Sequence, residues 1–179
     1  MGSEMCIRDS SPSELQDYIY GSAEAIGLLC LQIFLAEEDV SPADRAAMER
    51  GARALGSAFQ KINFLRDLRE DSSTLGRTYF QQAPSGRIDE ATKSALIAEI
   101  RRELATAALT IDLLPASARV GVSAAADIFA ELTNRLAATP ATALATTRVS
   151  VPNHTKAWLA ARAVRRRGHS SQTSPTAEN

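Results

Sequence analysis

The chain has 179 residues, 45% of them apolar but only 5% aromatic, and a formal net charge of −1. That length suffices for one domain with a true core, and the near-neutral charge leaves no global field to attract nucleic acid or an anionic membrane. Two cysteines, Cys6 and Cys30, make no disulfide framework, so a reducing cytoplasm is the default compartment, and Cys30 reads as a small buried apolar side chain.

Alanine is the commonest apolar residue, which favours helices over sheets. The opening MGSEMCIRDS has no periodicity, and residues 1–12 read as a non-native start left by cloning or sequence assembly. A first helix is expected from about Ser13 to Ala36. Gly21, Ser22, Ala23, Ala25 and Gly27 crowd one part of it, and glycine costs about 1 kcal/mol in a helix interior. Close helix packing and room for an extended ligand both account for such a cluster. The apolar run Ile26 to Leu35 falls short of the roughly 20 residues needed to span a bilayer. Ser41-Pro42-Ala43-Asp44 is a helix start, with Ser41 as N-cap and Asp44 near the positive end of the dipole. That second helix is expected to reach about Glu70. Ser72 to Arg87 reads as a loop turning at Pro84-Ser85-Gly86.

A third helix, Asp89 to Leu114, places Leu96, Ile100, Leu104 and Ile111 at helical spacing, and Pro115 ends it. The fourth runs from Ala116 or Ser117 to Ala138, with Val120, Ala124, Ile128 and Leu132 on one face, and breaks at Thr139-Pro140. Val149 to Asn153 reads as extended or turn-like. Thr155 to Arg166 reads as a short basic helix, whose arginines suit a solvated C-terminus or, less simply, anionic lipid. Residues 168–179 are polar and expected to be disordered. His154 and His169 have no partners at ligand spacing.

The chemistry concentrates in the second helix. Gln60, Asn63, Asp67 and Asp71 fall within an arc of roughly 80° at about 100° per residue. Two carboxylates and two amides on one stripe suit a hard cation such as Mg2+, which completes its shell with water and phosphate oxygens. Aspartates at i and i+4 also occur on solvated surfaces. Here, however, the like-charge pair needs neutralising, and Arg66 and Arg69 point more than a quarter-turn away. Arg66 and Arg77 add guanidinium groups matched to phosphate geometry. Tyr79 follows them, and an ordinary loop Arg and a half-buried Tyr remain open readings for Arg77 and Tyr79.

QKINFLRDLRED followed by GRTYF resembles the second aspartate-rich motif of the squalene/phytoene synthases, and YIYGSAEAIGLL, Tyr18 to Leu29, resembles that family's Tyr-rich, Gly/Ala-rich helix. The wording is closer to bacterial phytoene synthases than to squalene synthases. The resemblance covers roughly Ser13 to Arg167 and implies an all-α bundle of the isoprenoid-synthase type. The family's first aspartate-rich motif has no counterpart here, so the bundle is expected to be incomplete: residues 13–167 read as a C-terminal part.

The resemblance further implies that Asp67 and Asp71 hold Mg2+ with Gln60 and Asn63 in support. It places Tyr18, Arg77 and Tyr79 beside the diphosphates, and Ala23 and Gly27 along the prenyl cavity. The implied reaction of the full-length enzyme joins two prenyl diphosphates head to head, through a cyclopropyl diphosphate, to a linear hydrocarbon. Phytoene from geranylgeranyl diphosphate is the first expectation; squalene or dehydrosqualene from farnesyl diphosphate is the second. This chain alone is expected to be inactive, and a lipid substrate favours loose membrane association. Two other readings compete. A non-catalytic assembly protein of the same fold has no reason to keep the stripe, and a head-to-tail prenyl transferase is disfavoured by DLRED in place of a DDxxD-type motif.

Overall fold

The computed structural model describes residues 20–74 and 88–170, with side chains over 21–68 and 88–166. Among the described residues six α-helices follow one another: α1 Ala25–Phe34, α2 Pro42–Thr74, α3 Glu90–Ile111, α4 Ala116–Ala138, α5 Ala141–Leu144 and α6 Asn153–Ser170. A π-helical stretch, Tyr20–Glu24, leads into α1. There is no strand among the described residues, and no helix there is long and apolar enough to cross a membrane. The all-α expectation therefore holds.

The helix starts follow their sequence signals. Asp44 N–H donates to Ser41 Oγ at 3.1 Å, which caps α2. Thr92 N–H donates to Asp89 Oδ1 at 2.7 Å, which caps α3 and holds the Asp89 carboxyl below the usual carboxylate range. The other boundaries shift modestly. Helix α2 runs past Glu70 to Thr74, taking in residues expected in the loop. Pro140 does not only stop α4; it is the N-cap residue of the single turn α5. Helix α6 continues through Gly168 to Ser170, so the start of the expected disordered tail is helical. The expected disorder of residues 171–179, the start at 1–12 and most of the 72–87 loop lie outside the described residues.

Two apolar clusters hold the bundle. Ile62, Leu65, Ile100, Leu136 and Leu144 centre the larger one, between α2, α3, α4 and α5. Leu31, Leu35, Met48, Ile111 and Leu114 form the smaller one, where α1 meets the start of α2 and the end of α3. Polar ties fix the helices against one another. Buried Lys61 on α2 donates to Glu99 Oε1 and Glu103 Oε1 on α3, both at 2.5 Å, and Ser57 Oγ donates to Glu103 Oε1 at 2.8 Å. Lys93 on α3, also buried, donates to the Thr139 carbonyl at 2.6 Å, at the negative end of α4.

Helix α1 is covered on one face only. It seats Leu31 and Leu35 in the smaller cluster but leaves Ile26, Leu29 and Ile33 exposed, at 58%, 61% and 66%. Cys30 lies on the same side and is exposed, not buried as its sequence context suggested. An apolar stretch of ten residues gives no sign of which of its faces finds a partner. Here only the face toward α2 and α3 does.

Candidate functional site: an apolar cavity ending in a polar stripe

The small residues of the first helical segment let it lie almost in contact with α2. A Cβ on Gly27 would come 2.7 Å from the Ala52 carbonyl oxygen, and one on Gly56 would come 2.5 Å from that of Ala23. Both glycines are therefore required by backbone approach. The close-packing account of the Gly/Ala cluster is correct at Gly27, whereas Gly21 has no atom near its absent Cβ.

Beside that contact is a cavity of about 350 Å³, at the low end of ligand-binding pockets. Ala23, Gly27 and Cys30 line it from α1 and the stretch before it, Leu55 and Phe59 from α2, and Ile111 from α3. Ala23 and Gly27 thus serve both accounts at once, packing and space. The side-chain oxygens and amide on its wall come from Ser22, Thr110 and Gln60. Thr110 Oγ1 already donates to the Ala107 carbonyl at 2.9 Å. Phe59 lies nearly parallel to Phe129 of α4, with ring centroids 3.8 Å apart, which closes the space behind it.

One face of α2 joins this cavity to the acidic stripe. Met48, Gly51, Ala52, Leu55, Gly56, Phe59 and Gln60 step along the wall at helical spacing. Asn63 and Asp67 continue the same progression. Gln60 is where the apolar wall ends. Asp67 lies about 10 Å further along the axis, at about 1.5 Å per residue. Asn63 stands between them with its Oδ1 buried and without a hydrogen-bond partner among the described residues. A buried acceptor short of a donor is costly, and a cation or an incoming N–H or O–H group relieves it.

Asp67 is not bare. Arg66 Nε donates to its Oδ1 at 2.9 Å and Arg66 NH2 to its Oδ2 at 2.6 Å. A second guanidinium, Arg148 NH2, lies 3.5 Å from Oδ1. The quarter-turn that separates Arg66 from the stripe was expected to keep them apart. The reach of the arginine side chain closes it, because three methylenes and a planar fork span one residue step along the helix surface. Arg66 thus neutralises the carboxylate rather than reaching across the cavity. Arg148 was not anticipated, since nothing in a single sequence ties the connector before α6 to α2.

The oxygens of Asp67 and Asn63, one turn apart, fit part of a shell for a hard cation. They do not make a full one: no group of three or more His, Cys, Asp or Glu is placed to hold a metal among the described residues. The backbone of Asp71 is on α2, one turn beyond Asp67, and its side chain lies outside the described set. Tyr18, Arg77 and Tyr79 lie outside the described residues altogether.

Residues 6–83 match the squalene/phytoene synthase family. A bifunctional lycopene cyclase/phytoene synthase of Blakeslea trispora is 28% identical over 136 residues, covering 66% of this chain and 22% of that protein. Phytoene synthase 3, chloroplastic, of Zea mays is 42% identical over 78 residues, covering 42% of this chain and 17% of that protein. The chain thus spans about a fifth of the length of these two relatives. The matched stretch contains the Gly/Ala-rich helix, the whole of α2 and every stripe residue from Gln60 to Asp71.

Proposed function

We propose that this chain is part of a head-to-head prenyl transferase of the phytoene synthase type, contributing one metal–diphosphate stripe and part of the prenyl cavity. The observation that carries the reading is the α2 face that runs from an apolar cavity wall through Gln60 and Asn63 to Asp67. A prenyl diphosphate has the same division, a hydrocarbon chain ending in a dense anionic head. The names of both relatives include phytoene synthase, which favours geranylgeranyl diphosphate as substrate and phytoene as product. The GSAEAIGL wording supports an affinity with the bacterial enzymes.

Each group has a task in this reading. The wall formed by Gly27, Leu55 and Phe59 takes the prenyl chain and excludes water from cationic intermediates. Gln60 marks the boundary between chain and head. Asp67 and Asp71, with the Asn63 amide oxygen, would hold Mg2+, which when bound supplies Lewis-acid stabilisation of the leaving diphosphate oxygens. Arg66 orients Asp67 through its two hydrogen bonds. Arg77 and Tyr79 follow in the matched sequence and are proposed to contact the diphosphates, as is Tyr18.

One acidic stripe holds only part of a metal cluster, so turnover requires a second stripe from the remainder of the enzyme. The test is hydrocarbon analysis after incubation with geranylgeranyl diphosphate and Mg2+, using this chain alone and the chain co-expressed with the N-terminal half of a phytoene synthase. A C40 hydrocarbon only in the co-expressed sample, lost with Asp67→Asn, is expected. No hydrocarbon under any pairing, or undiminished product with Asp67→Asn, would overturn the reading.

A further inference from the structure

The near-zero total charge hides a local excess. Between Glu131 and Glu178 the chain carries seven Lys or Arg residues and no acid, against a net charge of −1 for the whole. Helix α6 takes most of that excess and has no Asp or Glu from end to end. We propose that the outward face of α6 is a docking surface for anionic lipid headgroups, holding the chain against a membrane that it does not cross. Nothing in this depends on the prenyl-diphosphate reading above.

The helix has two faces. Leu159 and Ala163 are buried on the side toward the bundle. Ala157, Trp158, Ala161, Val164 and Arg165 fall opposite them, within an arc of about 120° at about 100° per residue, and all five are exposed. Trp158 and Val164, at 54% and 57% exposure, give this strip an apolar centre. An indole on an apolar strip flanked by cations suits the boundary between headgroups and acyl chains.

The cations divide by task. Arg162 NH2 lies 2.9 Å from Asp127 Oδ2 on α4 and Arg166 NH1 lies 3.4 Å from the same oxygen, so these two tie α6 to the bundle. The Arg162 guanidinium also sits 5.0 Å from the centroid of the Trp158 ring, which steadies the indole at the surface. Lys156 and Arg165 are exposed, and neither has an ion-pair partner among the described residues. The helix dipole favours the arginines near the C-terminus, but Lys156 stands in the first turn, where the dipole opposes it. An anionic surface satisfies cations at both ends of the strip, and their aliphatic stems can lie along its apolar centre while the charges reach the headgroups. A nucleic acid would meet the same charges, but Ala157, Ala161 and Val164 offer its phosphates no partner, which favours lipid.

Trp158 is the only tryptophan in the chain, so its fluorescence reports on this face directly. The purified chain is titrated with vesicles of phosphatidylcholine alone and of phosphatidylcholine mixed in equal parts with phosphatidylglycerol, with binding read by co-sedimentation and by Trp158 emission. Binding to the mixed vesicles, with a blue-shifted emission that added salt reverses, is expected. The double variant Lys156→Gln, Arg165→Gln is expected to keep its melting temperature and to weaken that binding on the order of 25-fold, since each cation near an anionic surface contributes about fivefold. Ile33→Ser, on the exposed side of α1, is expected to leave it unchanged. Equal binding to both kinds of vesicle, binding that Ile33→Ser abolishes and the double variant keeps, or no binding to the mixed vesicles would each overturn the proposal. So would tighter binding to a duplex oligonucleotide than to the mixed vesicles, with the Trp158 emission unshifted.

Discussion

Asp67 is the stripe residue that two guanidinium groups approach. Asp67→Asn keeps its shape and removes its charge, so Mn2+ binding followed by electron paramagnetic resonance is expected to weaken at least about tenfold, with helix content by circular dichroism unchanged. Gly27 tests the packing beside it. A methyl group there meets the backbone of Ala52, not a movable side chain. Gly27→Ala is therefore expected to cost about 1–3 kcal/mol in urea denaturation, as overpacking does. The stripe was legible in the sequence because helical spacing is a local property. So was the oddity of two glycines in one helix. The partner of Gly56, the exposure of Cys30 and the approach of Arg148 were not, because each depends on a segment distant along the chain.

Among the elements, α2 and α3 depend on a polar tie that no sequence pattern announced. Lys61 is nearly buried, and Glu103 Oε2 beside it has no hydrogen-bond partner among the described residues. Lys61→Met would leave Glu99 and Glu103 without their cation, so a loss of about 3 kcal/mol is expected in urea denaturation. A Lys between Gln60 and Ile62 reads as a surface residue until α3 brings two glutamates to it.

The α3 N-cap makes a pH-dependent prediction. Bonds from the Thr92 N–H and hydroxyl hold the Asp89 carboxyl low, and Lys93 and the Ala141 N–H do the same for Glu90. A depressed carboxyl contributes stability that is full above its unfolded pKa and is lost as pH falls through the folded one. Asn also caps helices but does not titrate. Melting temperatures of wild type and Asp89→Asn should therefore be similar near neutrality, with the wild type falling further in acid. Parallel pH profiles for the two would remove Asp89 from the account.

At the scale of the molecule, the order and type of the long helices were readable from caps, proline stops and apolar spacing. What covers each face was not. Helix α1 shows why: its apolar residues point both into the smaller cluster and out to solvent, and periodicity alone does not rank one face above the other. The central claim is that one continuous face of α2 binds both halves of a prenyl diphosphate, the chain in the cavity and the head on the stripe. Equilibrium dialysis of the chain against labelled geranylgeranyl diphosphate, with Mg2+ or with EDTA, tests this most directly. The account predicts saturable binding that needs Mg2+ and is lost with Asp67→Asn. Binding that is equal in EDTA and indifferent to Asp67→Asn would contradict it.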